Sequence, residues 1–448
     1  MFLRLGLTCA VLLLVATSAG ADLVRRGPPA FDVSSIAAWE GRALGAVEVQ
    51  GLKVTREPLV RRQIRSKVGE PLAVATVGTD LARLVNLGAF TEARAEVAEM
   101  EPGGSVRLTF VVSETYSILP VPAVLYTEEN GFSYGLGVSA PNLSGRALKL
   151  GGKVFFGGTR QYWLTFDAPW LYKGDSHRSF NAFLGKRERD DELRAFHESS
   201  YEVRPTYGWF MRDDRAQATA GLTYLRMGSD VPGITLSEDD RDDLLGLSGA
   251  LVWDTRDDWG APRRGWRNEV ELTRYTQLEG EAGFWRLNLD LRRWLSTTPR
   301  QKVMLTGLVT LQSGELGTDV PGYLDYYIGG ANTVRGYEPA DRPISGKNQL
   351  IGTAEYSLTL MHPRRWDIAF LSIRLGLELA AFADLGVAWS DAEELSIART
   401  RGGAGAGVRL LIPGSEMVRF DVAWSEQQGF QFHLATGTKP VAQRQRLR

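Results

Sequence analysis

Residues 285–292 read Trp285-Arg286-Leu287-Asn288-Leu289-Asp290-Leu291-Arg292, apolar and polar side chains in strict alternation. In a pleated strand a period of two puts every apolar residue on one face and every ionisable one on the other. The pattern returns at 418–424, where Val418, Phe420, Val422 and Trp424 alternate with Arg419, Asp421 and Ala423. A soluble sandwich also has one polar face per strand, so alternation alone does not decide the fold. Breadth does: from Ser117 onward the helical period is absent, and segments of about 8–14 residues repeat the alternation between clusters of Gly, Pro, Asp and Asn.

Tyr162, Trp285, Tyr356 and Trp424 fall on the apolar face, which suits a lipid-facing band with aromatic girdles around a polar lumen. Closing the sheet satisfies every backbone group inside a membrane, which an open sheet cannot do. The expected fold is a transmembrane β-barrel over 118–436. Its sixteen antiparallel strands are expected near 118–126, 132–139, 146–157, 160–168, 178–187, 199–211, 215–228, 243–254, 265–276, 283–295, 301–313, 348–361, 368–384, 400–412, 416–425 and 429–436. With the N-terminus in the periplasm, the long 314–347 connection faces outside and turns such as 212–214 and 413–414 face the periplasm.

The rest of the composition narrows the class. A chain of 448 residues with 44% hydrophobic and 23% charged residues is not disordered. Its 52 basic and 53 acidic residues give a net charge of −1, so no electrostatic case for nucleic acid exists. Arg4, the apolar stretch from Leu5 to Ala16 and Ala19-Gly20-Ala21 read as a signal peptide over 1–21, with the mature chain starting at Asp22. The one cysteine, Cys9, lies in that leader, so disulfides, thiol nucleophiles and cysteine-ligated metals are excluded from the mature chain. Residues 22–44 are expected as an N-terminal linker in which Ser34 or Ser35 could cap a short helix through Trp39; a basic tail, 437–448, ends the chain.

Between linker and barrel, 45–115 changes period. A strand at 46–53, a helix from Thr55 to about Ser66, a second helix over 76–87 with Val77, Leu81, Leu84 and Val85 on one side, and strands near 92–99 and 105–113 give the order β-α-α-β-β. With Leu84-Val85-Asn86-Leu87-Gly88-Ala89-Phe90, this small α+β unit resembles a polypeptide-transport-associated (POTRA) domain, a type that binds clients or partner subunits by adding a strand to a sheet edge.

The longest barrel connection holds Gly329-Gly330-Ala331-Asn332-Thr333-Val334-Arg335-Gly336-Tyr337, and loops of such length are usually functional. Its Val334, Arg335, Gly336 and Tyr337 resemble the lumen-loop motif of the outer-membrane barrel-assembly factor superfamily, the BamA/TamA-type bacterial surface antigen family. Asp254, Arg256 and Asp257, Phe382 to Gly386 around Asp384, and Glu355 agree with that resemblance. By parity, Thr353, Glu355, Ser357 and Thr359 share one face of their strand, and Arg374, Glu378 and Asp384 one face of the next, so both carboxylates point into the lumen. The resemblance implies that Arg335 pairs with Asp384 and Glu355, locking the loop to the wall, a task suited to a planar, permanently charged, five-donor side chain.

The same resemblance implies a function without covalent chemistry, cofactor or metal: receiving unfolded outer-membrane or secreted polypeptides in the bacterial outer membrane, with the POTRA domain in the periplasm. Outer-membrane lipids are further partners, and periplasmic chaperones or accessory subunits are compatible ones. Pro120 and Pro122 in the first strand cannot donate to a ladder, and the last strand around Phe430 and Phe432 is short, so the seam between them is the expected weak point. One POTRA domain is fewer than the family's central assembly factor carries. A two-partner-type secretion transporter is the alternative within the family; a barrel enzyme or a passive porin is the alternative outside it. The four histidines, among them His177 and His197, lack triad or metal spacing. The acidic run from Ser237 to Asp243 is read as a solvated loop in preference to a divalent-cation site. The run Gly402-Gly403-Ala404-Gly405-Ala406-Gly407 is read as a strand making room for neighbours, since no phosphate-loop Lys or helix follows.

Overall fold

A computed structural model describes residues 24–29, 33–127, 130–171, 177–191, 195–211, 215–259, 261–338, 344–368, 371–411 and 417–436. The expected leader, 1–21, and basic tail, 437–448, lie outside the described residues, as do the turns 212–214 and 413–414.

Residues 22–44, expected as a linker, carry two elements: strand β1 (Val24–Pro29) and a 3-10 helix over Ser34–Trp39 that buries Ile36 in the core of the unit that follows. That unit is β2 (Leu44–Gln50), α1 (Glu57–Gln63), α2 (Val74–Asn86), β3 (Phe90–Glu99) and β4 (Val106–Glu114). Its sheet runs β2-β4-β3, with β2 parallel to β4 and β3 antiparallel. Alternating Val106, Leu108, Phe110 and Val112 on β4 pack against the i, i+4, i+7 stripe of Val77, Leu81 and Leu84 on α2 and against Leu59 and Val60 of α1.

Thr55 does not cap α1 as its position suggests: the N-cap is Arg56, without a side-chain cap hydrogen bond. The Thr55 hydroxyl instead accepts from Asn142 Nδ2 at 2.8 Å in the barrel, and Glu114 collects the amides of Lys53, Val54 and Thr55 at 3.0, 3.0 and 2.8 Å.

Sixteen antiparallel strands form the barrel. They are β5 (Leu119–Thr127), β6 (Gly131–Leu143), β7 (Leu148–Gly157), β8 (Thr159–Ala168), β9 (Arg178–Asp191), β10 (Phe196–Met211), β11 (Ala216–Ser229), β12 (Arg241–Asp254), β13 (Gly265–Gln277), β14 (Gly283–Thr298), β15 (Gln301–Gln312), β18 (Asn348–Ile368), β19 (Leu371–Trp389), β20 (Arg401–Leu411), β21 (Val418–Ser425) and β22 (Gly429–Thr436), and the sheet closes between β22 and β5. Two short strands, β16 (Tyr326–Ile328) and β17 (Ile344–Gly346), pair within the long connection.

Burial alternates along the strands as the sequence period requires. On β21, Arg419, Asp421, Ala423 and Ser425 are buried inward while Phe420, Val422 and Trp424 face out. Leu136, Phe430 and Phe432 are 74%, 73% and 79% exposed on the outer surface, the arrangement expected of lipid-facing residues.

The principal departure is at the β18–β19 hairpin. The expected strands 348–361 and 368–384 leave 362–367 as the connection between them. The structure continues both strands to Ile368 and Leu371, absorbing Pro363 through register shifts between Thr359 and Met361 and between Met361 and Arg364.

The α+β unit meets one rim of the barrel, here the proximal rim. Arg56 N–H donates to Gly145 O at 2.9 Å in the β6–β7 turn, Trp259 N–H donates to Asn86 Oδ1 at 2.9 Å, and the Arg62 guanidinium lies 5.4 Å from the Trp170 ring centre. Gly145, at φ +67°, is required there, since a Cβ would sit 1.9 Å from Val54 O.

Candidate functional site: a charged cluster pinning the lumen loop

The connection from β15 to β18 folds into the barrel. Its first half, through Val320 and Leu324, packs on Leu244, Tyr275 and Phe284 of β12–β14. Its second half, through Ile328, Val334 and Tyr337, packs on Leu308, Ile351 and Ala388 of β15, β18 and β19. The loop thus packs against two adjacent stretches of the inner wall, β12–β14 and β15–β19.

Arg335 is fully buried at the point where the loop meets the second wall. Its Nε and Nη2 donate to Asp384 Oδ2 and Oδ1 at 2.7 and 2.9 Å, and its backbone N–H reaches Oδ2 at 3.1 Å. Nη1 reaches Glu355 Oε2 at 3.2 Å and Asp421 Oδ2 at 3.1 Å. The guanidinium carbon lies 3.1 Å from the Phe382 ring centre, so the fork is stacked as well as hydrogen-bonded. Thr353 Oγ1 donates to Asp384 at 2.9 Å.

Sequence reasoning named Arg335, Glu355 and Asp384, and the structure brings these together. It missed three members. Arg409 bridges Glu355, at 2.7 Å from Nη2 to Oε2, and Asp421, through Nη1. Arg419 donates to Ala331 O at 3.2 Å and Asn332 Oδ1 at 2.6 Å of the loop. Three guanidinium groups, Arg335, Arg409 and Arg419, thus face three carboxylates, Glu355, Asp384 and Asp421, and the charges cancel. Balance of this kind is what permits so many ions to be buried together. Parity was the available signal: Asp421 and Arg419 stood on the lumen face of their strand, but nothing in the sequence said which partner crosses the lumen to meet them.

The glycine-rich strand explains how the loop comes so close. Gly403, Gly405 and Gly407 share the inward parity of Arg409 on β20. A Cβ at Gly403 would lie 1.9 Å from Arg335 O, one at Gly405 2.7 Å from Phe382 Cζ, and one at Gly407 2.1 Å from Asp421 Oδ1. A Cβ at Gly386 would meet Val334 Cγ2 at 2.7 Å.

The loop is also tied to the last two strands through its backbone. Gly336, at φ +92°, donates its N–H to His433 Nε2 on β22 at 2.9 Å and accepts from Ser425 Oγ. Glu338 N–H reaches Gln428 Oε1 at 2.7 Å, and Tyr337 OH donates to Gly402 O at 3.1 Å.

The remaining expected residues lie elsewhere. Arg256 grips Asp254 with Nε and Nη2 at 2.9 and 2.6 Å, and Asp257 Oδ1 accepts from the amides of Arg263 and Arg264 at 2.9 and 3.2 Å. This knot closes a proximal turn and does not touch Arg335. Below the cluster, Lys302 pairs with Glu378 at 2.9 Å. Pro120 and Pro122 stand on β5 opposite Val138 and Leu136 of β6, and Phe430 and Phe432 face outward on β22, the strand that closes against β5. In the acidic run, Asp242 accepts from the Leu236 and Ser237 amides at 3.0 and 3.1 Å and Asp243 from Arg226 Nε at 2.7 Å, so both carboxylates are engaged within the protein.

A lipid-facing barrel of sixteen strands with a loop folded against its inner wall and held on a buried arginine defines a class of outer-membrane β-barrel. The Omp85 superfamily domain matches residues 142–439, and the chain belongs to that superfamily. The outer membrane protein assembly factor BamA of Nitratidesulfovibrio vulgaris is 22% identical over 374 residues, covering 79% of this chain and 45% of that protein, so the chain spans about half the length of that curated relative. Among solved structures, BamA from Haemophilus ducreyi lacking POTRA domains 1-3 is similar with a TM-score of 0.55 at 16% identity, covering 96% of this chain and 92% of that one. CdiB from Escherichia coli gives a TM-score of 0.56 at 16% identity, covering 93% of this chain and 79% of that one. At such identities the likeness to the solved structures is one of fold.

Proposed function

We propose that this protein is an outer-membrane assembly factor that receives unfolded polypeptides at its α+β domain, a single POTRA domain in the periplasm, and passes them into the membrane through the β5–β22 seam. No covalent step is needed, because the driving force is the pairing of backbone groups that have no water to bind inside the membrane. The observation that carries this reading is the tie between the lumen loop and the closing strand: Gly336 bonds to His433 on β22, next to Arg335 in the charged cluster.

Two prolines of equal parity, Pro120 and Pro122, remove two donors from the same edge of β5. The β5 ladder to β6 runs without a register shift from Leu119 to Thr127, and the other edge of β5 faces β22. A seam bordered on one side by a strand with two prolines and on the other by a strand tied to the loop is suited to opening while the rest of the wall stays paired. A lumen that holds a packed loop argues against a passive porin.

Depletion of the protein from its host, with the outer-membrane proteome and the secreted fraction both quantified, tests the reading. A broad fall in barrel proteins, restored by wild type but not by Arg335→Ala, is expected. Loss of a single exported protein with all barrels unchanged would replace it with a dedicated secretion transporter, and no change in either fraction would overturn it.

A further inference from the structure

Strand β18 loses its neighbour early. Its ladder to β15 ends at Leu358, opposite Gln301, yet β18 runs on to Ile368. The β18–β19 hairpin therefore projects past the proximal rim, and its β18 side presents an edge without a β15 neighbour, the kind of edge that recruits another strand. That edge is occupied by the start of the chain: β1 pairs antiparallel with it, Val24 opposite Ile368, Arg25 opposite Asp367, Arg26 opposite Trp366 and Pro29 opposite Arg364.

The occupant is poorly made for its place. Its sequence, Val24-Arg25-Arg26-Gly27-Pro28-Pro29, includes two residues without an N–H and one glycine, and the register slips between Arg26 and Pro29. Only three consecutive residues keep a regular register, against about 5–6 in an ordinary strand. The edge lies beside the α+β unit, since β19 also contacts β3, the edge strand of that unit's sheet.

We propose that the projecting β18–β19 hairpin is a strand-acceptor site, and that the mature N-terminus is its resident, displaceable occupant, giving way to an extended polypeptide segment with a fuller set of donors. The site is separate from the seam and does not depend on it.

Removal of the leader with Cys9 leaves a mature chain without cysteine, which makes cross-linking clean. In outer membranes holding the full mature chain, the pair Arg26→Cys and Trp366→Cys should form an intramolecular disulfide on mild oxidation. The hairpin pair Asp367→Cys and Ser372→Cys serves as a positive control for folding. Failure of the first pair while the control cross-links overturns the resident strand. For displacement, a synthetic peptide of residues 22–33 carrying Cys at position 26 is offered to Trp366→Cys chains with and without residues 24–29. Labelling at least about tenfold stronger in the deleted chain is expected for a free edge that accepts a strand. Equal labelling of the two chains, or none in the deleted chain with its hairpin control intact, overturns the acceptor site.

Discussion

Arg335 and Asp384 meet through three hydrogen bonds, two from the guanidinium fork at 2.7 and 2.9 Å and one from the Arg335 backbone N–H at 3.1 Å. The backbone bond matters as much as the fork: Asp384 fixes the position of the loop chain itself, and the side chain then spreads to Glu355 and Asp421. Removing one partner of a buried pair leaves the other charge uncompensated, a cost of about 3–5 kcal/mol. Arg335→Ala should therefore lower the temperature at which the barrel unfolds in detergent, read by its heat-dependent shift on semi-native gels. Arg335→Lys, which cannot reproduce the fork, should recover only part of the loss. A double-mutant cycle with Asp384→Asn should give a coupling of about 0.5–3 kcal/mol, and additivity would remove the pair from the account.

The inward glycines of β20 make a sharp steric prediction. Gly403→Ala places a Cβ 1.9 Å from Arg335 O, a backbone atom, so the loop must shift. Overpacking of this kind costs about 1–3 kcal/mol. Gly352→Ala meets nothing within 4 Å and should stay within about 0.5 kcal/mol of wild type in the same assay.

At the joint between the α+β unit and the barrel, Asn142 donates to Thr55 Oγ1 at 2.8 Å and accepts from Ala147 N–H at 2.7 Å. Asn142→Ala leaves the buried Ala147 amide without that acceptor, at about 1–3 kcal/mol. Limited proteolysis of the segment after Glu114 should accelerate, while the heat-dependent gel shift of the barrel changes little.

The same joint should respond to pH. Burial works against ionisation of Glu114, but the amides of Lys53, Thr55 and Val54 and the Thr55 hydroxyl outweigh it and hold the carboxyl below its ordinary value of 4.5. A depressed folded-state value means stability that is present above the unfolded value and lost as pH falls through the folded one. Wild type should therefore protect the segment after Glu114 better than Glu114→Gln at neutral pH, and the difference should vanish under acid conditions. A constant difference across the range would contradict the assignment.

Much of the barrel was legible because its signal is long-range and repetitive. Strands such as 265–276 and 429–436 fell within a residue of Gly265–Gln277 and Gly429–Thr436, since an alternation of two leaves little freedom once lipid faces one side. The hairpin extension to Ile368 was not legible, because Pro363 beside two arginines reads as a turn and only the bulges show how a strand passes through it. Strand β1 was hidden for the opposite reason: six residues with two prolines carry no strand pattern, and pairing comes from an edge far along the chain. At the site, parity put Asp421 inward, but its partner Arg409 and its neighbour Arg335 come from a different strand and a loop.

The proposed function is that this barrel promotes the entry of other chains into a membrane. Its most direct test is reconstitution of the full mature protein in outer-membrane lipid vesicles, followed by addition of a urea-unfolded barrel protein and measurement of its folding by acquired protease resistance. Faster folding than in empty vesicles is expected, with most of the gain lost in Arg335→Ala. Folding at the empty-vesicle rate by wild-type protein would contradict it.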